Sequence, residues 1–154
     1  MAELHTLDTN IYIRAFRDRD RMAQLKRFLI HTGMRVRMSA VVALEMRAGA
    51  RTASQEQAVR DLIAPYAERD RVIVPSHEAY MESGRVLAAL AARGGHDLSR
   101  AGSLVNDVLI AASCREAGAC LVTDNVRDFA AIQRHLRGFR FTTGDDVLTV
   151  ISRA

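Results

Sequence analysis

Short apolar runs separated by helix-length segments constrain the fold of this chain more than any other feature. Leu4 to Leu7, Arg35 to Met38, Arg71 to Val74, Ala119 to Thr123 and Arg140 to Thr142 read as strands. Caps and breakers mark the helices between them. Asn10 or Thr9 is the expected cap of a helix beginning near Ile11, a second helix covers about Arg21 to Ile30, and Gly33 breaks it. Ser39 is the expected N-cap of Ala40 to Ala50, and Gln55 to Tyr66 is the next helix. Pro75 stops the third strand, Ser76 opens a helix to about Ala92, and Arg93 to Ser99 is the one loop of any length. A helix from Ser103 to Ala117 ends at Gly118, and a short helix and a last helix from Asp145 flank the final strand. Short apolar strands alternating with helices predict a parallel sheet of four to five strands covered on both faces, a three-layer α/β/α arrangement. A ligand then binds beyond the carboxyl ends of the strands, where the strand order reverses.

At 154 residues, with no repeat or Pro/Gly-rich linker, residues 1–154 are expected to form a single domain with one site. Hydrophobic residues at 49% and charged residues at 26% exclude a disordered or fibrous chain. No apolar run approaches the roughly 18 to 20 residues needed to cross a bilayer, and Met1 to His5 lack the marks of a signal peptide. A cytoplasmic protein without membrane contact is expected. Cys114 and Cys120 match neither a redox pair nor a zinc half-site, and read as buried thiols. The net charge of +4 is regional: between Arg14 and Arg71 there are thirteen Lys/Arg against seven Asp/Glu. Almost all of it is arginine, with Lys26 the only lysine. Guanidinium forks match phosphate oxygens, although a solvated helix face accounts for the same run.

Four places bring acids toward the expected ligand end. Asp8 and the Asp124-Asn125 pair follow strands, while Glu45 and Asp107 interrupt the apolar runs Val41 to Met46 and Leu104 to Ala112. Taken singly, each has a plain explanation. Asp8 is a turn former, Glu45 lies near Arg47 or pairs with Arg51, Asp107 is an early-helix acid and Asp124 a loop acid. Together they would repel one another unless a cation neutralised them. Hard oxygen ligands without cysteine or histidine select Mg²⁺ or Mn²⁺, and such a site in an arginine-rich protein suggests phosphodiester chemistry. The cation would polarise a phosphate and lower the pKa of an attacking water.

These residues resemble a known family. Leu7-Asp8-Thr9-Asn10, Met38 to Met46, Asn106 to Ala112 and Leu121 to Phe129 are similar to the four blocks of PIN-domain ribonucleases, in the family's order and spacing. The Thr123-x-Asn125-x-x-Asp128-Phe129 ending is closest to VapC-type toxins of type II toxin–antitoxin systems. The resemblance spans Leu4 to about Val147 and implies a PIN-like domain and a metal-dependent endoribonuclease. It implies that Asp8, Glu45 and Asp107 bind Mg²⁺ or Mn²⁺. Asp128 is the first choice for the fourth acid, with Asp124 and Asn125 as the alternatives; Asp128 should turn back toward the cluster and Asp124 point into solvent. Asn10 and Thr123 match polar positions that hold a carboxylate or a water. Hydrolysis would leave 5′-phosphate and 3′-hydroxyl ends. The implied partners are RNA, a cognate antitoxin and a second copy of the chain, with the antitoxin segment lying between the helices around Ile11 to Phe16 and Ala40 to Ala50.

Other readings fit less well. A haloacid-dehalogenase phosphatase needs an acid where Asn10 stands, and a receiver domain needs one after the third strand, where Pro75-Ser76 stands. No glycine fingerprint of a P-loop or Rossmann enzyme occurs. His5, His31, His77, His96 and His135 are scattered and read as surface or structural residues. A non-enzymatic alternative is a PIN-fold RNA-binding or regulatory module with weak catalysis.

Overall fold

The computed structural model of the chain describes residues 2–93 and 101–152. Strands β1 (Leu4–Leu7), β2 (Val36–Ser39), β3 (Val72–Ile73), β4 (Ala119–Val122) and β5 (Arg140–Thr142) form one parallel sheet in the order β3-β2-β1-β4-β5. The chain thus winds outward from β1 to β3, then returns to the other side of β1 with β4. The strand order reverses between β1 and β4, so the crevice at their carboxyl ends is the topological switch point. Leu7 pairs with Val122, and the Asp8 N–H continues the ladder by donating to the Val122 carbonyl at 2.9 Å. The residue after each of these two strands is therefore delivered to that crevice.

Helices cover both faces. On one side α1 (Thr9–Arg17), α2 (Arg19–Thr32) and α8 (Gly144–Ser152) pack together, and His5 of β1 meets Phe28 of α2 edge to face. On the other, α5 (His77–Ala92), α6 (Ala101–Ala117) and α7 (Val126–Gln133) pack together, with α6 against β2, β3 and β4. Helices α3 (Ala40–Gly49) and α4 (Ala53–Ala67) follow β2. Leu7, Val36, Met38, Val42, Ile110, Leu121, Val122 and Phe129 are fully buried between the layers. All of β4 is buried, as a central parallel strand must be. Phe129, Phe139 and Phe141 close the β5 end with ring centroids 6.0 to 6.4 Å apart.

The expected strands and caps recur with specific shifts. Ser39 accepts from the N–H groups of Val41 and Val42, and Ser76 from Ala79, as read from the sequence. Gly33, at φ +53°, ends α2 and starts one turn of 3-10 helix before β2. The first cap differs: Asp8, rather than Asn10 or Thr9, closes α1 by accepting from the Thr9 N–H. Because Asp8 is still bonded to β4, the helix has to begin on the next residue. Helix α2 starts at Arg19, earlier than expected, because the Asp18 carboxylate accepts from the Asp20 and Arg21 N–H groups. Strand β3 keeps only Val72–Ile73, and a capping box of Thr52 with Gln55 starts α4 early. Residues 94–99 of the expected loop lie outside the described residues.

Candidate active site

Asp8 is almost fully buried and held at both oxygens. Its Oδ1 accepts from the Thr9 N–H at 2.8 Å. Its Oδ2 accepts from the Thr123 hydroxyl at 2.7 Å and from Asn10 Nδ2 at 3.1 Å. Thr123 is itself saturated, since its Oγ also accepts from Asn10 Nδ2 at 3.2 Å and from the Asn125 N–H at 3.0 Å. The Asp124 N–H donates to Asn10 Oδ1 at 3.2 Å, which fixes the face that the Asn10 amide presents to Asp8. Burial raises the Asp8 pKa above its ordinary value, and the bonds from Thr123, Thr9 and Asn10 pull against that shift.

Two helices bring further acids. On α3, Val41, Val42 and Met46 are buried while Leu44 is 60% exposed, so Glu45 stands at the boundary of the apolar face and not inside it. The Thr9 hydroxyl donates to Glu45 Oε2 at 2.8 Å, and the Asn106 side chain also bonds this carboxylate. Burial and the charge of Asp8 raise the Glu45 pKa. Glu45 makes no ion pair with Arg47 or Arg51. On α6, Asp107 is 8% exposed, and its carboxyl is pushed up to about 8, first by burial and then by Asp8, Glu45 and Asp128. The acids at these four positions therefore feel one another, which the sequence alone left open.

The loop after β4 sorts the remaining candidates. Asn125 caps α7, and its Nδ2 donates to Asp128 Oδ2 at 3.0 Å and, at 3.5 Å, reaches Asp107 Oδ2. Asp128 faces the cluster. Asp124 does not point into solvent as expected: its carboxylate is ion-paired with Arg14 of α1. The first residue of α8 closes over it, since a Cβ on Gly144 would stand 2.9 Å from Asp124 Oδ1. Sequence reasoning missed three residues here: Thr9 and Asn106, each adjacent to a recognised acid, and Arg14, one helical turn past Asn10.

Among the described residues, no three His, Cys, Asp or Glu side chains are gathered closely enough to enclose an ion. The donor chemistry nonetheless fits a hard divalent cation. Asp8, Glu45, Asp107 and Asp128 present only carboxylate oxygens, and among the described residues none is paired with Lys or Arg. Beside the cluster, Glu45 borders a groove of about 370 Å³ between Ile13, Phe16 and Arg17 of α1, Met46 and Gly49 of α3, and Gln55 and Ala58 of α4. The sequence placed α1 and α3 there; α4 is the wall it did not foresee. Cys114 and Cys120 are free and buried, with both thiols pushed well up by burial. His5 is packed on Phe28, His31 and His77 are exposed, and His96 lies outside the described residues.

The family profile described as the PIN domain matches residues 6–134. No curated protein matches the sequence. Among solved structures, the DNA-bound VapBC from Salmonella typhimurium is similar at a TM-score of 0.68 and 21% identity, covering 92% of this chain and 98% of that one. VapBC2 from Rickettsia felis, bound to a promoter DNA fragment, is similar at 0.64 and 21%, covering 92% and 99%. VapBC-1 from nontypeable Haemophilus influenzae is similar at 0.63 and 23%, covering 91% and 97%. At these identities the likeness is one of fold.

Proposed function

This chain belongs to the PIN-domain family, and we propose that it is a Mg²⁺- or Mn²⁺-dependent endoribonuclease acting as the toxin of a type II toxin–antitoxin pair. One observation carries the reading: hydrogen bonds through Thr9, Thr123 and Asn125 tie Asp8, Glu45, Asp107 and Asp128 into one cluster, and among the described residues none of the four is paired with Lys or Arg. Asp8, Glu45, Asp107 and Asp128 would hold the cation. When bound, it supplies positive charge against a scissile phosphate and makes water a better nucleophile at neutral pH. The chain's own part is positioning. Thr123 and Asn10 hold Asp8, Thr9 and Asn106 hold Glu45, and Asn125 holds Asp128.

The toxin role rests on the sequence resemblance and on the shared fold of the VapBC structures. A cognate antitoxin segment would lie in the groove between α1, α3 and α4, where a basic side chain can reach Glu45 and neutralise the acids. The domain is proposed to be single and to work as a homodimer, extending one basic surface along an RNA. Among the described residues no helix is long and apolar enough to cross a membrane.

RNA incubated with the purified chain tests the core of this reading. Cleavage should require Mn²⁺ or Mg²⁺, stop with EDTA, and leave 5′-phosphate and 3′-hydroxyl ends. RNA that is bound but uncut under every cation tried would replace the enzyme with a binding module.

A further inference from the structure

Among the described residues, Asp124 is the acid at the switch point that is paired with a cation, whereas Asp8, Glu45, Asp107 and Asp128 are not. Its partner is Arg14, at 46% side-chain exposure, and Asp124 itself is 22% exposed. An ion pair that wet contributes only ~0–1 kcal/mol to stability. What it does set is a position. The Asp124 backbone N–H donates to Asn10 Oδ1 at 3.2 Å, so the Asn10 amide must turn its Nδ2 toward Asp8 Oδ2 and Thr123 Oγ. An amide rotated the other way would put its oxygen against the carboxylate.

The far side of Asp124 is closed as well. Gly144, at the start of α8, leaves no room for a Cβ: one would meet Asp124 Oδ1 and Ile11 Cδ1 at 2.9 Å each. That helix start is tied to α2 by the Arg21–Asp145 pair at 2.6 Å, and Arg14, Asp124 and Arg21 border one small crevice with Ile11, Gly144 and Leu148. Asp124 is thus gripped from α1 and walled in by α8.

We infer that Asp124 is a positioning residue: held by Arg14 and closed in by Gly144, it fixes the Asn10 amide and, through it, the orientation in which Asp8 meets a cation. This deepens the nuclease reading and rests on it, but the geometry it concerns exists in the metal-free protein.

The test uses the full chain with Asp124→Ala, Arg14→Met and Gly144→Ala, and with Arg14→Lys as the conservative variant. Three quantities are read: the Asn10 side-chain amide resonances without metal, the Mn²⁺ dissociation constant by electron paramagnetic resonance, and the thermal midpoint. In the first three variants the Asn10 amide should lose its distinct shifts and exchange faster, with Mn²⁺ binding weakened about tenfold, as for loss of an outer contact to a ligand. Arg14→Lys should stay close to wild type in both, and the midpoints of the Asp124 and Arg14 variants should barely move. An unmoved Asn10 amide in Asp124→Ala and Gly144→Ala overturns the inference. So does loss of Mn²⁺ binding in Asp124→Ala with Asn10 undisturbed, which would make Asp124 a ligand. If wild type binds no Mn²⁺, the nuclease reading falls, and the Asn10 amide alone decides whether Asp124 positions it.

Discussion

Burial and the neighbouring acids Asp8, Glu45 and Asp128 oppose ionisation of Asp107. Its ordinary pKa is 3.8 and its folded value is about 8. Between those values the folded carboxyl keeps a proton that the unfolded chain has lost. Protonation therefore stabilises the fold at acid pH, and that contribution fades as pH rises through about 8. Asp8 and Glu45 are raised in the same sense. His5 is lowered from 6.5 by burial, so it removes stability as pH falls through that value, which leaves the range above it for a clean measurement. The metal-free midpoint should accordingly rise as pH is lowered from about 8.5 to about 7, with a flatter slope in Asp107→Asn. An equal slope in that variant would remove Asp107 as the cause. Asp8→Asn and Asp107→Asn should each abolish cleavage and the arrest of growth on expression, while leaving the metal-free midpoint unchanged or slightly higher above about pH 8, where Asp107 is ionised and one charge fewer relieves the repulsion. A sharp drop in midpoint would make these acids structural. Asp8, Glu45 and Asp107 were legible in the sequence because acids inside or just after apolar runs stand out. Thr9 and Asn106 were not, since a hydroxyl or an amide beside an acid carries no pattern of its own.

Helix α7 does two jobs with one residue at its start. The Asn125 side-chain oxygen caps the Asp128 N–H, and its amide nitrogen holds the Asp128 carboxylate. Asn125→Ala should cost ~1 kcal/mol, the usual value of an N-cap, and should also reduce cleavage. Asn125→Ser separates the two roles: a serine restores the cap but cannot hold Asp128, so the midpoint should recover while activity stays low. Recovery of both would reduce Asn125 to a cap. Asp128→Ala should lose more activity than Asp124→Ala, because Asp128 faces Asp107 and Asp124 faces Arg14. Metal titration of the pair checks this, and a larger loss of Mn²⁺ affinity in the Asp124 variant reverses the assignment. Element starts were readable wherever a Ser cap stood alone, as at Ser39 and Ser76. The start of α1 shifted from the expected caps Thr9 and Asn10 to Asp8, because the β4 ladder rather than side-chain preference placed it.

The whole molecule joins an acid crevice to a groove that leads away from it along α1, α3 and α4. Phe16, at 48% exposure, lines this groove and also the neighbouring one bounded by Met22, Leu25 and Leu62, more apolar surface than a single core face requires. Size-exclusion chromatography with light scattering should show a dimer of the chain alone and a larger complex with the product of a small gene immediately upstream. A monomer at micromolar concentration that ignores that product would end the toxin reading and leave the nuclease. The sequence by itself determined the layered parallel fold, the switch-point end and the acids Asp8, Glu45 and Asp107, because alternation, caps and charge inside apolar runs act over a few residues. Only the tertiary structure told apart the directions of the two acids after β4. Asp124 and Asp128 share one loop and helix start, and what separates them is that Asp124 is drawn to a group far off in the chain. Arg14, 110 residues earlier, takes one, and the Asn125 amide beside Asp107 takes the other, a choice made by packing that no local pattern records.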